Sequence, residues 1–72
     1  MPRLPRLSAR KTVKAFETLG WQVARRSGSH LVREGHVATL SVPNHKHVAS
    51  GTLRSLIRAA DLTVDEFTAA LE

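Results

Sequence analysis

The 72-residue sequence contains no cysteine. This absence excludes a disulfide framework and any zinc site built on thiolates. The fold must therefore be stable on packing alone, which is compatible with a reducing compartment. The sequence also lacks a run of 18 apolar residues that could span a membrane. The first residues, MPRLPRLSARK, are basic but lack the apolar stretch of a signal peptide, so we expect a soluble, cytoplasmic protein.

The chain is short enough to limit its architecture. A domain of this size buries only about 60% of the surface that its unfolded chain exposes. We therefore expect residues 1–72 to form a single domain with one thin core of helices packed on a small sheet. A deep cofactor pocket is not expected in a core of this size.

Acidic residues are scarce in most of the chain. All eleven Lys and Arg residues, but only two acids, Glu17 and Glu34, lie in residues 1–60, which carry a formal charge of +9. The last twelve residues carry the other four acids. A basic body favours a polyanionic partner such as a nucleic acid, through contacts to phosphates. The alternative is a charged surface that serves solubility alone.

Hydrophobic periodicity and turn residues predict a mixed fold. Ser8 is a good N-cap for a helix over residues 9–19, which Gly20 ends. Strands are predicted over residues 21–26, 30–33 and 36–42, the last two joined by a tight turn at Glu34-Gly35. Ser50 or Thr52 is the expected cap of a second helix over residues 52–60. A short third helix follows, preceded by a Thr63–Glu66 capping box.

This order predicts an α+β domain with an α-β-β-β-α layout and a short extra C-terminal helix. Three short sequential strands favour an antiparallel meander. Both main helices have one apolar stripe, and the simplest way to bury both stripes is on the same face of the sheet. The other sheet face is then left to solvent or to a ligand. Double-stranded-RNA-binding domains have this layout.

His30 is the first candidate for chemistry. A histidine can give and take a proton near neutral pH, which RNA cleavage requires at the 2′-hydroxyl and at the leaving 5′-oxygen. Arg25 and Arg26 lie across the same hairpin turn and are placed to hold a phosphate. The backbone N–H groups of residues 27–29, which include Gly28 and Ser29, are suited to bind an anion. The alternative is a surface or structural histidine.

Two further histidines, His45 and His47, lie in a polar loop. Their His-x-His spacing can serve a metal, but no carboxylate is nearby, and a zinc site needs three or four protein ligands. We therefore expect no metal. RNA contact or plain solvent exposure fits the loop better, and His45 is also the candidate for a second acid or base.

The second helix adds a basic edge to the predicted surface. Arg54 and Arg58 lie one turn apart beside the apolar stripe, near a helix N-terminus of the kind that binds phosphate. The alternative is a solvated helix face. The single tryptophan, Trp21, is expected in the core rather than stacked on a base.

Three stretches of the sequence together resemble the HicA family of bacterial and archaeal mRNA interferase toxins, also called YcfA-like proteins. The first is PRLSARKTVKAFETLGWQVARRSGSH, at residues 5–30. The second is Val42-Pro43 with the histidine loop after it, and the third is GTLRSLIRAADLTVDEF, at residues 51–67. The match runs through nearly the whole chain in order. Two departures are the short Glu34-Gly35 hairpin tip and Val48-Ala49-Ser50, where relatives often carry lysines. Phosphate binding at that edge is expected either to be weaker or to be done by Lys46.

The resemblance implies a function beyond what the residues show. It implies an mRNA-cleaving, growth-inhibiting endoribonuclease whose critical histidine is His30, with no metal or cofactor. It also implies a partner, a HicB-type antitoxin that covers this histidine. We expect Arg25, Arg26, Gly28, Ser29, Lys46, Arg54 and Arg58 to contact RNA. The alternatives are a non-catalytic double-stranded-RNA-binding module of the same fold, and an interaction protein whose basic face serves an acidic partner chain.

Overall fold

A computed structural model describes residues 4–25 and 30–71 of the chain. Its elements follow one another in the predicted order of helix, three strands and two helices, which confirms the α+β class. They are α1 (Ala9–Thr18), β1 (Gln22–Arg25), β2 (His30–Val32), β3 (Leu40–Ser41), α2 (Ser50–Ala59) and α3 (Val64–Ala69).

The three strands form one antiparallel sheet in the order β1-β2-β3, as the meander predicts. In the central strand, Leu31 pairs with Val23 on one side and with Leu40 on the other. His30 pairs with Arg25 and with Ser41. The register between β1 and β2 shifts between the Val23–Leu31 pair and the Arg25–His30 pair. Ala24, which lies between Val23 and Arg25, is the extra residue of a β-bulge.

The two faces of the sheet have different environments. Leu31 and Leu40 point to one face and are buried, whereas the alternate residues His30, Val32 and Ser41 point to the other and are half-buried or exposed. The inner face belongs to one core that all three helices share. Its least exposed side chains are Trp21, Phe16, Phe67, Leu31, Leu40, Leu53, Val42 and Thr12.

Helix α1 begins and ends where its sequence predicts. Ser8 is its N-cap, and the Ser8 hydroxyl oxygen accepts a hydrogen bond from the backbone N–H of Lys11 at 3.2 Å. After the C-cap Leu19, Gly20 adopts φ +101°, a left-handed conformation that suits glycine. Trp21 follows directly and is buried against Phe16, with the two rings edge to face at 6.5 Å.

The start of α2 differs from its prediction. The helix begins at Ser50 instead of residue 52, and its N-cap is Ala49, with no side-chain hydrogen bond. Neither Ser50 nor Thr52 is therefore the cap. Helix α3, in contrast, has the predicted capping box: the Thr63 hydroxyl accepts from the Glu66 backbone N–H, and the Glu66 carboxylate accepts from the Thr63 N–H.

The third strand is much shorter than predicted. It was expected over residues 36–42, but only Leu40–Ser41 pairs with β2. The connection from β2 to β3 therefore spans residues 33–39, so the prediction of a hairpin tip with only Glu34-Gly35 is wrong. The turn at Glu34-Gly35 does form, with Gly35 at φ +79°, but the chain then leaves the sheet. The side chain of His36 explains this departure.

His36 fastens the connection to the rest of the fold. Its ring lies 5.0 Å from the ring of Trp21, and its Nε2 lies 2.9 Å from the Asp61 carboxylate. The Ala38 backbone N–H donates to Nδ1 at 3.2 Å, so Nε2 carries the proton and donates to Asp61. These three contacts take His36 out of strand geometry.

None of the helices in residues 4–25 and 30–71 has the length and apolar character that a membrane span requires.

Candidate functional site

His30 lies at the start of the central strand, on the face of the sheet that the core does not cover. Its Nδ1 lies 3.1 Å from the hydroxyl oxygen of Ser41, its partner across the β2–β3 pair. This is the one side-chain hydrogen bond that the described residues give His30, and it leaves Nε2 open. A ring held at one nitrogen and open at the other is suited to exchange a proton with a ligand.

The backbone around His30 is fixed by buried neighbours. Leu31 follows it in β2, and Leu40 and Val42 lie on either side of Ser41 in the neighbouring segment; all three are at most 1% exposed. Because these anchors hold both strands, the positions of the imidazole and the hydroxyl are set by the core. The β-bulge at Ala24 lies beside the same point, a place where bulges commonly redirect side chains.

The predicted basic residues near His30 are described only in part. The backbone of Arg25, the last residue of β1, pairs with His30, as its place across the hairpin predicts. Arg26, Gly28 and Ser29 lie outside the described residues, and the predicted anion-binding turn lies there with them.

The two loop histidines lie in a different setting. His45 and His47 are both exposed, and the described residues give neither side chain a hydrogen bond. The His45 carbonyl accepts from the Ala9 backbone N–H at 3.0 Å, which ties the loop to the start of α1. No contact brings the His45 side chain to His30. Lys46 is exposed in the same loop.

Arg54 and Arg58 are exposed, as predicted, and lie beside the buried stripe of α2. With Asp61, Leu62 and Val64 they line a shallow depression between α2 and α3. They belong to α2, which packs on the core side of the sheet, whereas His30 lies on the face that the core does not cover.

Four histidines are described, and their surroundings separate them. His36 has both ring nitrogens hydrogen-bonded and is 19% exposed, so it has no free position for a ligand proton. His45 and His47 have no side-chain partner among the described residues that would orient them. Counting partners among residues 4–25 and 30–71, His30 alone of the four combines an oriented ring with an open nitrogen. In the part of the chain that the structure describes, no three His, Asp or Glu residues converge as metal ligands.

The sequence contains a family signature that agrees with this fold. A model of the family described as HicA toxin of bacterial toxin–antitoxin systems matches residues 9–62. The match covers well over half of the 72 residues, and the chain belongs to the HicA toxin family. Membership assigns it a toxin role and implies a cognate antitoxin partner. No curated protein and no solved structure matches the chain.

Two features of the site were not predicted from the sequence. Ser41 could be recognised as a neighbour of His30 only from the register of β2 and β3, which depends on where the connection between them ends. The pairing of His36 with Asp61 joins residues 25 positions apart. The available signal for Asp61 was its place just after a predicted helix end, and this does not identify a partner.

Proposed function

We propose that this toxin is a metal-independent endoribonuclease that cleaves mRNA with His30 as its general acid or base. The observation that carries the proposal is the half-buried His30 ring in a chain of the HicA toxin family. Ser41 holds this ring at Nδ1, and the residues that the structure describes leave its Nε2 without a hydrogen bond. The formal charge of +9 over residues 1–60 supports a polyanionic substrate.

The proposed reaction is attack of a ribose 2′-hydroxyl on the adjacent phosphate. His30 Nε2 takes the hydroxyl proton, the bond from O2′ to phosphorus forms, and the bond from phosphorus to O5′ breaks. The leaving O5′ takes a proton from water or from a second acid, for which His45 is the candidate. Arg25 and Arg26 would stabilise the charge that develops on the phosphate, as preorganised cations do.

Growth on induced expression tests the role of His30. We expect the wild type to arrest growth and degrade mRNA, and His30→Ala to do neither at the same level of folded protein. His47→Ala is the matched control, because His47 is exposed and the described residues give its side chain no hydrogen bond. We expect this variant to arrest growth as the wild type does. Equal arrest by His30→Ala and the wild type would contradict the assignment. Absence of arrest in both would favour the non-catalytic RNA-binding module.

The ends of the cleavage products test the reaction itself. Attack by the 2′-hydroxyl leaves 2′,3′-cyclic phosphate or 3′-phosphate ends. Enzymatic end-labelling of RNA cut by the purified protein distinguishes these ends from 3′-hydroxyls. Products with 3′-hydroxyl ends would contradict the mechanism even if His30 proves essential.

We also propose that RNA is bound at two places. Gly28 and Ser29 bind it close to His30, and Lys46, Arg54 and Arg58 bind it farther from His30. Exposed cations that contact phosphates make affinity depend on salt. We expect Arg54→Ala and Arg58→Ala each to lower the slope of log affinity against log salt by about 1, measured on uncut RNA with the His30→Ala background. Glu17→Ala, at an exposed position of α1, is the control for a charge change alone. An unchanged slope in both arginine variants would exclude them from the interface.

The antitoxin is proposed to be of the HicB type and to cover His30. Val32 supports this location, because it lies on the same sheet face two residues from His30 and is 38% exposed. We expect Val32→Asp to weaken antitoxin binding at least about tenfold, since it places a charge in an apolar contact. Ser55→Asp, at an exposed position of α2, should bind as the wild type does. Calorimetric titration measures both, and unchanged binding by Val32→Asp would place the antitoxin elsewhere.

A further inference from the structure

The hydroxyl of Ser41 is the one side-chain hydrogen-bond partner that the described residues give the His30 ring. The two residues are directly opposed in antiparallel β2 and β3, and their side chains therefore point to the same face. Ser41 Oγ lies 3.1 Å from His30 Nδ1. The flanking Leu40 and Val42 are each 1% exposed, so the backbone that carries the hydroxyl is anchored on both sides.

A serine hydroxyl suits a histidine that must change its protonation state. The hydroxyl oxygen can accept a hydrogen bond from Nδ1–H, both when Nε2 is bare and when the ring is fully protonated. The ring can therefore gain and lose a proton at Nε2 without losing its partner at Nδ1. A bare Nε2 is the form that can act as a base, and it is the form present when the hydroxyl accepts from Nδ1–H.

His36 shows what a different partner does to a histidine ring. His36 Nδ1 accepts from the backbone N–H of Ala38, a donor that cannot become an acceptor. The proton of neutral His36 is therefore fixed on Nε2, where Asp61 accepts it. His36 is locked in one tautomer, whereas His30 faces a group that can serve either role. The contrast lies in the partners of the two rings.

We propose that Ser41 is a positioning residue for His30, which holds Nδ1–H and directs the open Nε2 toward the substrate. This inference rests on the proposed ribonuclease function. Ser41 acts through the imidazole and needs no contact with RNA. The role predicts a loss of turnover without a loss of RNA binding when the hydroxyl is removed.

Two variants and two readouts test the role of Ser41. We expect Ser41→Ala to lower kcat for RNA cleavage about tenfold with KM unchanged, the size of effect that follows from losing one hydrogen bond. Ser41→Thr keeps a hydroxyl and fits a strand, and we expect it to restore kcat to within about twofold of the wild type. Nitrogen NMR of the histidine rings should show His30 mainly as the Nδ1–H tautomer in the wild type and in Ser41→Thr. In Ser41→Ala the Nε2–H form should increase.

The His36 signals are the internal control, because the contacts that fix its tautomer do not involve Ser41. Unchanged His36 signals show that a variant is folded. An unchanged His30 tautomer in Ser41→Ala overturns the proposal whether or not the protein cleaves RNA. A changed tautomer with an unchanged kcat also overturns it. A wild type that does not cleave RNA refutes the ribonuclease function instead, and the NMR result then still reports whether Ser41 orients the ring.

Discussion

Phe67 provides the strongest test of the fold, because it lies beyond the residues that the family match covers. It is fully buried, and its ring lies 5.0 Å from that of Phe16 in α1. Truncation of a buried phenylalanine to alanine costs about 3–5 kcal/mol. At about 0.05–0.15 kcal/mol per residue, a 72-residue chain has only about 4–11 kcal/mol of stability. Phe67→Ala should therefore remove at least about a quarter of the free energy of unfolding.

Urea denaturation measures this loss, with the fluorescence of Trp21 as the probe. Trp21 is the one tryptophan of the chain and is 1% exposed, so unfolding changes its surroundings completely. With an m-value of about 1 kcal/mol/M, the midpoint should fall by about 3 M or more, or the variant should be unfolded without urea. Val64→Ala, in the same helix but half-buried, should cost about 1 kcal/mol. A Phe67→Ala midpoint equal to that of the wild type would refute the place of α3 in the core, and with it the expectation of a single domain over residues 1–72.

The N-terminal ends of α2 and α3, and the turn at Asp61 between the two helices, give further predictions. The same urea denaturation measures each of them. Thr63→Ala should cost about 1 kcal/mol because it removes the capping box, whereas Thr52→Ala should cost less because α2 has no side-chain cap; equal costs would contradict the capping assignment. Asp61, at φ +58°, accepts from His36, so Asp61→Ala should lose the hydrogen bond and strain the backbone, while Asp61→Gly should lose the hydrogen bond alone. Asp61→Ala should therefore be less stable than Asp61→Gly by about 1 kcal/mol, and the reverse order would show that the left-handed turn is not kept.

Local signals in the sequence were sufficient for most of the fold. The Ser8 cap, Gly20 and the Thr63–Glu66 box each act within a few residues, and all three are found at their predicted places. The apolar stripes of α1 and α2 follow helical periodicity, which burial reproduces. The cap of α2 was not predicted correctly. Ser50 and Thr52 both have side chains that can cap a helix, but the N-cap is Ala49, which makes no side-chain hydrogen bond.

The connection between β2 and β3 shows where local signals fail. A two-residue tip at Glu34-Gly35 would pair His30 with Thr39, but the structure pairs it with Ser41. The shift is by two residues, so the side chains keep their predicted faces while their cross-strand neighbours change. The cause is the contact of His36 with Trp21 and Asp61, which depends on the tertiary fold. The candidate His30 was therefore predictable from sequence, and its partner was not.

His30 and Leu31 are neighbours in β2 that should respond in opposite ways to truncation. Leu31 is fully buried on the inner face, so Leu31→Ala should cost about 2–5 kcal/mol. His30 is half-buried on the outer face, and its contact with Ser41 is exposed, so His30→Ala should cost no more than about 1 kcal/mol. Urea midpoints of the two variants measure the difference. Because a nearly native His30→Ala can lose toxicity only through its chemistry or its contacts, this result decides how the growth experiment is interpreted. Equal destabilisation by the two variants would show that His30 belongs to the core, and loss of toxicity in His30→Ala would then reflect unfolding.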